Sequence, residues 1–188
     1  MVVVGPDGVG KSGLARSLLE LAPAECGYFH FRPPIGNPLR GDVPLDESPP
    51  PKNRTRPSVP LGWVRLGVGF VRFWVGHLAT VLPAVRRGTL VVGDRWAYGY
   101  LVQPRALRYG GPSRLARYAI RCLPKPDLVI NLTAPVEEIH RRKQELTPGE
   151  IAAELKAWSA IPAPKMITID ARQTSRDMAA RVLTELTL

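Results

Sequence analysis

Short apolar runs alternate along this chain with longer stretches whose apolar positions recur at helical spacing. The runs fall at Met1–Val4, Tyr28–Phe31, Leu90–Gly93, Leu128–Leu132 and Met166–Ile169. Runs of four to six apolar residues with no polar alternation suit strands buried on both faces of a parallel sheet. The helical patterns cover Lys11–Leu21, Leu61–Arg87, Pro112–Leu123, Val136–Glu145, Pro148–Ala160 and Ser175–Leu186. Strands that alternate with helices of this length imply βαβ crossovers. The expected fold is therefore α/β, a three-layer α/β/α domain on a five-stranded parallel sheet. At 188 residues, 1–188 form one domain with no evident internal repeat.

Two stretches depart from this rhythm. Residues 32–60 hold nine prolines, including Pro49-Pro50-Pro51, which excludes helix or interior strand and leaves a long surface loop. Loops of this length are functional or disordered, and Lys52, Arg54 and Arg56 make the second half basic. An acceptor-side flap and plain disorder both fit. The second stretch, Leu61–Leu82, is strongly apolar, but Arg65, Arg72, His77 and several glycines argue against a membrane-spanning helix. Arg65 and Arg72 are seven apart and share a helix face. Either an interfacial helix on anionic lipid or a core helix with arginines in a cleft reads this way, and the core or cleft reading is preferred.

Composition adds a strong basic bias. The net charge is +10, carried by 20 Arg and 6 Lys. Arginine suits bidentate contact with phosphates, and an arginine-favouring codon bias gives the same composition. The basic residues show no nucleic-acid motif, so no nucleic-acid partner is expected. The first strand starts at Met1, so no secretory leader fits. The start is abrupt in the way a trimmed or misassigned N-terminus would be. Cys26 and Cys122 have neither metal-ligand nor disulfide-framework spacing, which suits packing roles in a reducing cytoplasm.

The chemistry is concentrated at two strand ends. Gly5-Pro6-Asp7-Gly8-Val9-Gly10-Lys11-Ser12 is a complete G-x-x-x-x-G-K-[ST] phosphate-binding loop between a strand and a helix. In that setting, backbone N–H groups and the positive helix N-terminus face a polyphosphate. Lys11 then reaches the β- and γ-phosphates and the Ser12 hydroxyl ligates Mg²⁺. The second signature is Gly93-Asp94-Arg95-Trp96 at the end of a hydrophobic strand. Ligands of parallel α/β sheets gather outside the carboxyl ends of the strands, where the loop also sits. There Asp94 would hold Mg²⁺ through water or organise the acceptor, and Arg95 would neutralise a phosphate.

Together, these two signatures resemble the thymidylate kinase-like branch of the nucleoside monophosphate kinases, P-loop NTPases with an acidic residue inside the loop and an Asp-Arg-aromatic triplet at the third strand. Pro126-Asp127-Leu128-Val129-Ile130-Asn131-Leu132 with Thr133-Ala134-Pro135-Val136-Glu137-Glu138 is similar to that family's fourth strand and the start of its lid-bearing helix, and Ile169-Asp170-Ala171 to its last strand and turn. Arg141, Arg142 and Lys143 fall at its basic lid, about 141–150. Phe31-Arg32-Pro33-Pro34 falls at its acceptor-phosphate loop. The resemblance implies Mg-ATP-dependent phosphoryl transfer to a nucleoside monophosphate, dTMP first, by a cytoplasmic enzyme that is commonly a homodimer.

On that reading Gly5, Asp7, Gly8, Val9, Gly10, Lys11 and Ser12 bind ATP, with Arg141, Arg142 and Lys143 closing over it. Arg32, Arg95 and Trp96 bind the acceptor, and Lys11, Asp94, Arg95, Arg141 and Arg142 act in transfer. Asp7 is read either as a partner for an acceptor sugar hydroxyl or as a solvated loop residue. His30, Trp63, Trp74 and Trp158 are read as structural. The chain departs from the family pattern at Arg32-Pro33-Pro34-Ile35-Gly36 and at Arg108-Tyr109-Gly110-Gly111. Those departures motivate an alternative acceptor outside the nucleotides, such as a sugar, a glycan or a lipid-linked precursor. A nucleotide-binding switch without catalysis is the third reading.

Overall fold

In a computed structural model of the chain, residues 1–44 and 59–187 are described. The core is a five-stranded sheet among these residues, ordered β2-β3-β1-β4-β5, with every pair parallel. Its strands are β1 (Val2–Val4), β2 (Cys26–His30), β3 (Leu90–Asp94), β4 (Val129–Thr133) and β5 (Met166–Asp170). Each lies within two residues of the run expected from the sequence. The helices are α1 (Lys11–Leu21), α2 (Val59–Gly76), α3 (Leu82–Arg86), α4 (Gly99–Val102), α5 (Ser113–Arg121), α6 (Val136–Arg142), α7 (Pro148–Ser159) and α8 (Ser175–Thr187). The architecture is α/β, compatible with three α/β/α layers.

Strand side chains alternate between two apolar layers, as the two-residue repeat of a strand requires. Val3, Val92, Ile130 and Ile169 pack with Leu14 and Leu18 of α1 and with Met178 and Val182 of α8. Val2, Val4, Val91 and Val129 face the other way, onto Leu66 and Phe73 of α2, Ala116 and Ile120 of α5, and Trp158 of α7. Even the three-residue β1 is buried throughout, because it lies at the sheet centre with β3 on one side and β4 on the other.

Two features were not legible in the sequence. The expected helix Leu61–Arg87 begins earlier, at Val59, and contains a π-turn at His77–Val81. There the Leu82 N–H bonds the His77 carbonyl, five residues back. Pro83 follows at once. It lacks an N–H and its ring crowds the carbonyl four residues earlier, so widening the preceding turn relieves the clash. The chain after β3 also coils into a short 3₁₀ turn, Trp96–Tyr98, that runs into α4. Of the proline-rich stretch 32–60, residues 45–58, with Lys52, Arg54 and Arg56, lie outside the described residues. The nearer part folds back on the sheet edge, where the Tyr28 N–H donates to the Arg40 carbonyl at 2.7 Å and the Arg40 N–H donates to the Tyr28 carbonyl at 3.1 Å.

Candidate active site

The glycine-rich turn leaves β1 and enters α1 through backbone geometry that side chains would obstruct. Gly5 has φ +145°, and a Cβ there would lie 2.8 Å from the Leu132 carbonyl oxygen. Gly8 has φ +86°, and a Cβ there would lie 2.8 Å from the Lys143 Cβ. Both the left-handed backbone and the close approach call for glycine. Gly10 precedes α1 in the left-handed region and offers no capping side chain.

Lys11 is the first residue of α1, and its side chain turns back into the loop. Its Nζ donates to the carbonyls of Gly5 at 3.0 Å and Pro6 at 2.7 Å, and lies 3.4 Å from Asp7 Oδ1. Burial pushes the Lys11 pKa down, as does the Arg95 charge; Asp7 and Asp94 pull the other way. Ser12 is exposed on the same first turn. Asp7 is buried, so the solvated-loop reading does not hold. Its carboxylate is paired with both Lys11 and the Arg95 guanidinium.

Parallel register brings the second signature level with the first. Val3 pairs with Asp94, and His30 of β2 pairs with the same residue. The Arg95 N–H then donates to the Val3 carbonyl at 2.9 Å, which holds Arg95 beside the loop. Arg95 has φ +68°, an uncommon backbone state for a residue with a side chain. Asp94 is 4% exposed; its Oδ2 lies 3.4 Å from both the Tyr28 hydroxyl and His30 Nδ1. Its Oδ1 is buried with no hydrogen-bond partner among the described residues, Arg95 Nε lying 4.0 Å away. Burial by itself would raise the Asp94 pKa; the His30 hydrogen bond and the charges of Lys11, His30 and Arg95 outweigh it and hold the carboxyl below its ordinary value.

The basic segment reaches the loop from the end of α6. Arg142 Nη1 lies 3.4 Å from the Val9 carbonyl, while Nη2 bonds Glu138 at 2.5 Å and approaches the Ala171 carbonyl at 3.4 Å. Lys143 stands over Gly8 and pairs with Glu145 at 3.1 Å. Arg141 is exposed. Over 141–150, where the lid is expected, α6 ends and the chain turns, with His140 Nδ1 2.9 Å from the Leu146 carbonyl. α7 then starts from a Thr147–Glu150 capping box.

Beside Asp7 and Arg95 opens a cleft of about 530 Å³. His30 and Phe31 line one wall, the Gly99–Leu107 stretch another, and Leu146, Glu150, Ala153 and Glu154 the third. Arg32 and Trp96, expected in an acceptor pocket, do not line it. Arg32 bonds the Tyr100 hydroxyl at 2.8 Å, stacks on the Phe31 ring at 4.9 Å and borders a separate recess of about 220 Å³. Trp96 is buried against Phe73 and Tyr98. Neither Arg65 nor Arg72 borders the cleft. His30, read as structural, both lines the cleft and touches Asp94. Gln103, Arg105, Glu150 and Glu154 line it too and were not singled out. The Thr147-Pro148-Gly149-Glu150 capping pattern was the one signal pointing to this wall, and it marked a helix start rather than a site.

Searched against known families and curated proteins, the chain matches no family and no curated relative.

Proposed function

We propose that this chain is a P-loop phosphotransferase of the thymidylate kinase-like kind, moving the γ-phosphoryl group of Mg-ATP to an acceptor held in the cleft beside Asp7 and Arg95. One observation carries the reading: Lys11, Asp94, Arg95 and Asp7 converge at the carboxyl ends of β1 and β3, next to a concave site large enough for a nucleotide-sized acceptor. Phosphoryl transfer asks a protein mainly for positioning and charge neutralisation, and buried Lys11 with partly exposed Arg95, between the loop and the cleft, would supply both.

Lys11 and the amides of Gly8–Ser12 would bind the β- and γ-phosphates, releasing Lys11 from the Gly5 and Pro6 carbonyls. Arg142 would meet the polyphosphate across Val9 and Gly10. Arg95 would hold the acceptor's phosphate, with Asp7 keeping the guanidinium aimed along the cleft wall. A Mg²⁺ ion suits the residues present, because Mg²⁺ retains several waters and takes few protein ligands. The exposed Ser12 hydroxyl and the unpartnered Asp94 Oδ1 would hold it. Bound there, the ion supplies neutralisation of phosphate charge. Asp94 stays ionised at neutral pH, as a carboxylate that orients metal water must.

A nucleoside monophosphate, dTMP first, is the acceptor we propose. A non-nucleotide acceptor such as a sugar, glycan or lipid-linked precursor is the second reading. Glu150 and Glu154 in the cleft wall favour it, since carboxylates accept hydrogen bonds from hydroxyl groups and repel a phosphate. The test is ADP release from Mg-ATP against dTMP, dUMP, other monophosphates, nucleosides, sugars and sugar phosphates. Saturable turnover with dTMP, abolished by Lys11→Ala and Asp94→Ala, is expected. Turnover only with a hydroxylated non-nucleotide selects the second reading. Full transfer activity in Lys11→Ala would sink the site assignment.

A further inference from the structure

The net charge of this protein is confined to one part of it. Residues 59–126 carry eleven Lys or Arg against a single carboxylate, Asp94, which is buried in the site described above. The remaining residues balance at fifteen cations and fifteen carboxylates, so the whole +10 belongs to this stretch. It includes α2, α3 and α5. Helices α2 and α5 pack against each other on one side of the sheet, with Leu66, Phe73, Ala116 and Ile120 in the same apolar layer. Their outward faces therefore look the same way.

What those faces present is unusual for a water-exposed surface. Val59–Arg86 is the one helical stretch among the described residues long and apolar enough to cross a bilayer. It does not cross one here, because its Gly62, Leu66, Gly69, Phe73 and Gly76 side is buried against the domain. Its opposite side is exposed and still apolar: Val64, Val68, Val71, Val75 and Leu78 recur at spacings of four and three and form one stripe. Val64 is 61% exposed. A contiguous exposed apolar stripe rimmed by polar residues marks an interaction surface. Helical spacing puts Arg65 and Arg72 along one edge of the stripe and Trp63, 52% exposed, along the other. On α5, Arg114, Arg117, Tyr118 and Arg121 are exposed at spacings of three, four and seven, also one face.

We propose that this layer docks on an anionic phospholipid surface, with α2 lying in the membrane plane, its valine stripe among the acyl-chain ends and the arginines of α2 and α5 on lipid phosphates. An in-plane helix with an apolar face, an aromatic edge and flanking arginines has the composition that interfacial binding requires. Charge selects this occupant over the others. Two copies meeting through this face would set arginine against arginine, since neither helix carries a carboxylate. A nucleic acid would satisfy the arginines but leave the valine stripe in water. Anionic lipid satisfies both. The inference does not depend on which acceptor the cleft takes.

The test is flotation of the full chain with vesicles of phosphatidylcholine alone and of phosphatidylcholine containing about one-third phosphatidylglycerol. The chain is expected to float only with the anionic vesicles, less so as salt rises, with a blue shift in tryptophan emission that Trp63→Phe removes. Replacing Arg114, Arg117 and Arg121 by Gln should weaken partitioning by about a hundredfold, at about fivefold per cation. The exposed pair Val71→Ser and Val75→Ser should weaken it by about tenfold or more, with the melting temperature unchanged. Failure to float with anionic vesicles overturns the proposal. So does flotation insensitive to the valine pair, which would leave charge alone. A dimer in sedimentation velocity that the valine pair dissolves, without vesicle binding, would assign the face to a second copy. Retention of duplex DNA or RNA in place of vesicles would assign it to nucleic acid.

Discussion

Replacing Asp7 by Asn removes a negative charge that two cations share. The Asp7 side chain is 5% exposed, paired with Lys11, equally enclosed, and with Arg95, which is 19% exposed. Breaking a buried ion pair by neutralising one partner typically costs about 3–5 kcal/mol, because the other charge stays buried and uncompensated. Lys11 keeps the Gly5 and Pro6 carbonyls, and Arg95 reaches solvent, so the lower end, about 3 kcal/mol, applies. For a domain of this size that lowers the melting temperature by about 6–12 °C. The assay is thermal unfolding by circular dichroism at neutral pH on wild type, Asp7→Asn, Arg95→Gln and the double variant. Because Arg95→Gln removes one of the stranded charges, the double variant should lose less than the two single losses combined, by about 1–3 kcal/mol. An Asp7→Asn melting temperature within about 1 °C of wild type, or strict additivity in the cycle, would refute a shared buried charge.

Three further outcomes follow from the same geometry. Gly8→Ala must place a Cβ 2.8 Å from Lys143, whereas Gly36, also at positive φ (+77°), has nothing within 4 Å of its Cβ position among the described residues. Urea unfolding should show a loss of about 1 kcal/mol for Gly36→Ala and clearly more for Gly8→Ala; equal losses would remove the steric part of the account. Asp94 has a folded pKa below its unfolded value, so its contribution is present above the unfolded pKa, near 3.8, and is lost as pH falls through the lower folded value. Urea midpoints measured from neutral pH down through pH 3 should therefore fall less steeply in Asp94→Asn than in wild type, and parallel slopes would contradict the assignment. Trp158 is fully buried and its Nε1 has no hydrogen-bond partner among the described residues. Trp158→Ala should cost about 3–5 kcal/mol in chemical denaturation. Trp158→Phe keeps most of the ring and discards an unsatisfied donor, so it should cost about 1 kcal/mol; matching losses would show that packing alone is not what holds this position.

Local patterns in the chain specified most of the elements. The five apolar runs became the five strands and α1 took its expected bounds, because burial on both faces and helical periodicity are properties of neighbouring residues. The Thr147–Glu150 cap starts α7 for the same reason. Places where a short-range signal met a conflicting one were not legible. The π-turn before Pro83 needs the helix to continue past a residue that normally ends it, which packing on the sheet enforces. Tryptophan content likewise pointed to a buried role for Trp63, but only the placement of α2 on the domain shows it half exposed. Cys122, expected to pack, is exposed.

For the candidate site the division is similar. The glycines, Lys11, Ser12, Asp94 and Arg95 announced themselves by spacing, because a tight turn with close backbone approach leaves a fixed residue pattern. That Asp7 is buried between two cations, that His30 stands level with Asp94, and that Arg32 turns away to Tyr100 all depend on register between strands distant in sequence. The walls contributed by Gln103, Arg105 and α7 depend on how two crossovers pack together. Sequence by itself determined the alternating strands and helices, the glycine turn and the placing of the net positive charge in residues 59–126. Tertiary structure alone decided which side chains meet in one cleft and which face of α2 is left outside, because those outcomes rest on contacts between residues that no local pattern links.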